Sequence, residues 1–240
     1  MGNEIRELLI NFWRRSFFIE PLLIFSFILS FILGLFYHYK NKERLLFTAY
    51  FFSGAILFLP SPIISICKIL TRRQLMIYEE VANTFFELIE FLAFYFFFKK
   101  CLQNKYEKCF KVALYMLMTV SGIFFIRLAF PNYKDEDMRT HSLFINVIEF
   151  FFLFIMCLAY FRKLFTDAPT KNLFKRPSFL IVTSLFFYTI LMIPFFLIAN
   201  DVFLNEVAIY HILFACHYIL LMFLLFSISK AFLCKIPITT

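Results

Sequence analysis

The sequence predicts an all-α polytopic membrane protein: seven transmembrane helices preceded by a short interfacial helix, with the N-terminus outside and the C-terminus inside. Three observations predict this class. The 240 residues are 62% hydrophobic and only 17% charged, whereas a soluble domain is nearer about half apolar and about a quarter charged. The apolar residues gather into seven runs, each of roughly the 20 residues that cross a hydrocarbon core of about 30 Å. The basic residues sit in short clusters between those runs, as in loops held at an anionic membrane surface. All seven runs should be helices, because an open strand leaves its backbone unsatisfied in lipid.

In chain order, residues 1–16 form an expected interfacial amphipathic helix. Ile5, Leu8, Leu9 and Phe12 share one face, opposed by Glu4, Arg6, Glu7, Arg14 and Arg15, and Trp13 sits at headgroup level. Residues 17–240 form one transmembrane domain, with spans expected at 17–38, 45–68, 77–98, 109–130, 142–162, 177–199 and 207–230. The loops after the first, third and fifth spans and the tail carry 15 Lys and Arg; the opposite side carries 8, and Arg127 lies within the fourth span. The richer side should be cytoplasmic. The acidic stretch Asp135–Asp137 is expected in an outer loop, as is the base-free stretch 200–207. Pro60, Pro62 and Pro194 are expected to bend their helices.

The third span carries the strongest signal. Glu80, Asn83, Thr84, Glu87 and Glu90 recur at steps of three or four, which puts them on one side of a helix. A polar stripe at membrane depth costs free energy, about 2.5 kcal/mol or more per isolated charge, and should face other helices or water. The third span therefore reads as the helix around which the other six are organised.

A faint repeat extends the pattern. Glu87 lies 13 residues before Lys100, Glu149 lies 13 before Arg162, and His217 lies 13 before Lys230. Thirteen residues is roughly 20 Å of helix, so the three should lie at similar depth, with Asn146, Arg127, Glu20 and His211 around or above them. The expected polar network comprises Glu80, Asn83, Glu87, Glu90, Arg127, Asn146, Glu149 and His217, with Arg127 as the counter-ion of the buried acids. Two readings stand: a buried ion-pair network that fixes helix register, or a polar pocket open to the outside that takes a small cation, a proton or a hydrogen-bond donor.

Several function classes recede. The charge of +8 is spread over loops on both sides rather than one face, which argues against nucleic acid as a partner. Only four Gly are present, which leaves little for phosphate-cradling loops. No GxSxG, HExxH or P-loop motif occurs, and no enzyme activity, cofactor or metal is expected. The six cysteines include no CxxC pair and read as free thiols. The 40 Phe read chiefly as lipid-facing residues or a compositional bias.

The segments NTFFELIEFLAFYFFFKK (83–100) and LLFSISKAFLCK (224–235) resemble small, Phe-rich bacterial membrane proteins of seven helices, often encoded near sensor histidine kinases. The resemblance extends to the membrane halves of such kinases. It implies a multi-pass protein of the cell inner membrane, without a kinase module of its own, that signals through a separate partner; it implies no catalytic residues.

The functional expectation is a non-enzymatic sensor or accessory protein. Its partners would be the lipid bilayer, a cytoplasmic effector or kinase reached through the basic inner loops, and a second copy of the chain as a homo-oligomer. The alternative is a small transporter or channel, including a membrane accessory subunit of an anti-phage or CRISPR system.

Overall fold

The computed structural model describes residues 19–37, 42–59, 71–103, 105–130, 133, 135–166, 173, 176–205 and 207–233. The expected interfacial helix, Pro60, Pro62, Cys67 and Cys234 lie outside them, as do the side chains of Glu20 and His211. Among the described residues the secondary structure is helical: α1 (Ile19–Tyr37), α2 (Lys42–Phe58), α3 (Arg72–Cys101), α4 (Glu107–Leu128), α5 (Asp135–Thr166), α6 (Pro177–Asn205) and α7 (Val207–Leu233). Five of them, α3 to α7, are long and apolar enough to cross a membrane; α1 and α2 carry the shorter apolar stretches Pro21–Leu35 and Leu45–Phe58.

Local chemistry explains where the helices depart from the expected spans. α3 starts five residues before position 77 because Thr71 and Gln74 form a capping box. The Thr71 backbone N–H donates to Gln74 Oε1 at 3.0 Å, and the Gln74 N–H donates to Thr71 Oγ1 at 3.4 Å. Residues Asp135–Asp137 are the first turn of α5 rather than a loop. The stretch expected as the loop before the last span is helical up to Asn205, and α6 runs through Pro194.

Ring pairs fix the directions. Phe27 and Phe31 of α1 meet Phe58 and Phe52 of α2, and Phe58 and Phe47 of α2 meet Phe86 and Phe94 of α3. Phe150 and Phe161 of α5 meet Tyr188 and Phe179 of α6, and Phe195 of α6 meets Phe214 of α7. Each of these neighbours therefore runs antiparallel to the next. The main packing contacts close a ring in the order α1, α2, α3, α5, α6, α7 and back to α1, while α4 packs from outside against α3 and α5. The seam between α1 and α7 is marked by Ser229 Oγ donating to Ser30 Oγ at 2.9 Å. α3 is thus one wall of a ring, not the central post that its polar stripe suggested.

The α1–α2 hairpin depends on two glycines. A Cβ at Gly34 would collide with the Thr48 hydroxyl, and one at Gly54 would enter the Phe27 ring. Small residues are what let membrane helices approach this closely. Phe also has a definite structural role beside its lipid-facing one. Phe27, Phe47, Phe51, Phe91, Phe94, Phe97 and Phe98 are fully buried between α1, α2 and α3, while Phe25, Phe52, Phe96, Phe151 and Phe187 face outward. Edge-to-face pairs such as Phe47–Phe94 at 5.4 Å and Phe27–Phe86 at 5.5 Å add to dispersion in a setting where lipid supplies no hydrophobic drive.

α3 and α5 run parallel in register. Lys163 Nζ of α5 donates to the Cys101 carbonyl at the end of α3 at 2.8 Å, satisfying an otherwise orphaned C-terminal acceptor with a favourable charge. Beside it, Glu107 at the start of α4 holds Lys99 at 2.9 Å and Lys111 at 3.0 Å, and Gln103 takes the left-handed conformation (φ 51°) that reverses the chain. Lys163→Met should cost about 1 kcal/mol. A lowered thermal midpoint of the detergent-solubilised protein would report it; an unchanged midpoint would show the cap to be energetically idle.

Candidate functional site

The parallel register of α3 and α5 assembles the polar interior. Glu87 lies fourteen residues from either end of the Arg73–Cys101 apolar run, close to mid-depth. Glu90 is the next residue on the same face, and Glu149 comes in from α5. Their residual exposures are 5%, 2% and 0%. Glu149 is within electrostatic reach of both other acids. Tyr50 of α2, fully buried, points its hydroxyl at Glu90 without completing a well-formed hydrogen bond. Tyr188 of α6, 2% exposed, lies within electrostatic reach of all three carboxyls.

The centre is poorly satisfied. Glu87 Oε2, Glu90 Oε1, both oxygens of Glu149 and Tyr50 Oη are buried with no hydrogen-bond partner. The groups acting on the three carboxyls are the acids themselves together with Glu80, Asn146 and Tyr50, none of them cationic. Buried polar groups are nearly always paired, and a buried charge without a counter-charge costs several kcal/mol (about 3–5 when one partner of a buried pair is removed). This interior is therefore uncompensated in charge if its acids ionise.

The remaining expected residues separate into a second polar layer, a distant one and a branch. Glu80 lies within reach of the Ser142 hydroxyl and feels the Arg139 guanidinium. Asn146 lies within reach of Glu87 and donates to the Ser142 carbonyl at 3.1 Å. Asn83 is half-buried on α3.

Arg127 does not compensate the acids. It is exposed in the last turn of α4, a helix outside the ring. The buried stripe of α4 is Phe110, Ala113, Leu117, Ser121 and Phe124, so its next inward position is 128, and position 127 points about 100° away. Its charge acts on Tyr133 and His141 instead. Tyr133 links α4 to α5: its hydroxyl donates to the Asp137 carbonyl at 3.2 Å and lies 3.3 Å from His141 Nδ1, and Arg73 Nη2 donates to its carbonyl at 3.2 Å.

His217 stands apart from the acids but is connected to them through Tyr188. Its Nδ1 lies 3.4 Å from Tyr188 Oη and 3.1 Å from Met192 Sδ. Its ring stacks on Tyr188 at 5.8 Å and meets the edges of Phe196 and Phe214. Tyr188→Phe should leave the fold within about 1 kcal/mol of wild type, because the hydrogen bond it removes is long. Thermal unfolding checks this; a loss of several kcal/mol would show that the hydroxyl bears structural strain.

The carboxyls of Glu87, Glu90 and Glu149 are closed off from the surface. Among the described residues, no group of three His, Cys, Asp or Glu side chains has metal-site geometry. Sequence reasoning missed Tyr50, Tyr188 and Ser142, and placed Arg139 in a loop. Comparison with known proteins finds no matching family model, no matching curated protein and no matching solved structure.

Proposed function

We propose that the chain is a non-enzymatic sensor or accessory protein of the cell inner membrane. It crosses the bilayer seven times, with the N-terminus outside and the C-terminus inside. The buried acid centre is its sensing element, and the basic end of the bundle is the surface read by a cytoplasmic effector or kinase. The supporting observation is the uncompensated centre itself: Glu87, Glu90 and Glu149 meet between two parallel helices, with Tyr188 leading on to α7. Acids kept at membrane depth are costly and mark function more often than packing.

The alternating helix directions support the orientation. The ends of α3, α5 and α7 fall on one side, carrying Lys99, Lys100, Arg162, Lys163 and Lys230. Lys105, Lys108 and Lys111 lie at the α3–α4 connection on that side. This is the basic excess of a cytoplasmic face.

Affinity capture of the tagged chain from native membranes tests the proposal. Recovery of a cytoplasmic effector that is lost when Lys105, Lys108 and Lys111 become Gln is the expected result. Recovery of the chain alone would count against it. The closed ring with acids at mid-depth also suits a small transporter, and solute or proton flux in vesicles that stops in Glu149→Gln would move the assignment there.

A further inference from the structure

Taking the acid centre as the sensing element, we propose that the species it binds is the proton, held in common by Glu87, Glu90 and Glu149.

The inference rests first on hydrogen-bond inventory. An ionised carboxylate only accepts, and a protonated one also donates. The centre presents four unpartnered carboxyl oxygens, and among the described residues no cation acts on them directly. A proton on one carboxyl supplies a donor for the next, and what remains short of a partner is an acceptor rather than a buried charge. Tyr50 can serve either state. Its hydroxyl is fully buried, aimed at Glu90 and unpartnered, so it can donate to the Glu90 carboxylate or accept from the protonated carboxyl.

Space is the second ground. Buried Phe86 and Phe94 pack on Tyr50 and buried Phe150 on Tyr188, and the acids are at most 5% exposed. A metal ion or an ammonium needs volume and several ligating oxygens, and these carboxyls are not grouped with such geometry. A proton needs neither.

The surrounding elements contribute as follows. α2 gives Tyr50; α3 gives Glu80 as well as the acids; α5 gives Asn146, with Arg139 acting through Glu80; α6 gives Tyr188; α7 gives His217 and Tyr218, acting through Tyr188. Among the described residues, α1 and α4 supply none of the groups acting on it. Chemically, a proton passes from water or a buffer acid to a carboxylate oxygen; no heavy-atom bond changes and no electron is transferred. Interacting acids of this kind titrate as a unit rather than one by one.

The test uses the full-length protein in phosphatidylcholine–phosphatidylglycerol vesicles, by infrared difference spectroscopy between acidic and alkaline buffer. A carbonyl band of protonated, buried carboxyl should come and go with pH. It should be the same in sodium, potassium, calcium and tetramethylammonium salts. Glu149→Gln should remove about a third of its amplitude, one carboxyl of three, and move the remainder, while Glu107→Gln, at the start of α4 and away from the centre, should leave it in place. The wild-type spectra decide the matter even if a variant folds poorly. No pH-dependent buried carboxyl band, or a band set by the choice of cation at fixed pH, would overturn the proposal. Partner capture separates the two readings. A proton titration without any captured partner refutes the sensor and leaves the proton site; captured partner with no titration does the reverse.

Discussion

Replacing Gly54 with leucine is expected to destabilise the bundle more than any other single change considered for this chain. The Cβ alone would lie about 2.5–2.8 Å from three atoms of the Phe27 ring. That ring has nowhere to go. It is stacked on Phe58 at 6.1 Å, edge-on to Tyr50 at 6.1 Å and edge-on to Phe86 at 5.5 Å, and it is fully buried. Relief requires α1 and α2 to separate, which loosens the contacts on both sides of the ring. Overpacking a well-filled core costs about 1–3 kcal/mol and occasionally more, and a clash at Cβ rather than at a flexible side-chain end belongs at the top of that range. With Cys67, Cys109, Cys216 and Cys234 replaced by serine, a thiol-reactive dye can follow it, because Cys101 and Cys157 are buried and react only as the bundle opens. The expected result is a large fall in the temperature of dye uptake. Gly122→Ala is the control: nothing lies within 4 Å of the added carbon, so it should behave as wild type. Equal stability of Gly54→Leu and Gly122→Ala would show that the α1–α2 approach is not as close as described.

The second large effect is functional. Glu149→Gln keeps the shape of the side chain but removes its capacity to take up a proton or carry a charge. Glu149 is 0% exposed, and both its oxygens are unpartnered, so the wild-type residue contributes no hydrogen bond whose loss would weaken the fold. Replacing an unpartnered buried acid by a neutral amide of the same shape removes the cost of an uncompensated buried charge. Thermal stability at neutral pH should therefore hold or rise, while the pH-dependent movement of the basic end of the bundle is lost, although Glu87 and Glu90 still titrate. A variant that unfolds would instead assign Glu149 a structural role, as part of a network that fixes helix register.

Much of this arrangement is legible in the chain, for identifiable reasons. The stripe Glu80, Glu87, Glu90 follows from helical spacing alone. The match of Glu87 with Glu149, each 13 residues before a basic residue, becomes parallel packing of α3 and α5, with Lys163 against Cys101 closing the register at one end. Other features depend on tertiary packing that local pattern does not encode. Chain order suggests that α4 stands between α3 and α5, yet α3 and α5 meet directly and α4 lies outside. That displacement is why Arg127 misses the acids, and nothing within the fourth span signals it. Tyr50 and Tyr188 are hidden for a different reason. In a chain with 12 Tyr and 40 Phe, an aromatic residue at any position carries little information until its neighbours are known. Arg139 looked like a loop residue because Asp135–Asp137 read as a loop, although acids at that position are also what opens a helix.

With the buried acids as the sensing element, their charge state moves the basic end of the bundle. The most direct measurement is the distance between spin labels at Lys108 and Leu233, both exposed positions near that end, with the native cysteines replaced and the protein in lipid. The account predicts a distance distribution that shifts between acidic and alkaline buffer in the otherwise wild-type chain and is frozen in Glu149→Gln. Identical distributions at both pH values in the wild-type background would contradict it, and would leave the acid centre as a packing feature of the bundle.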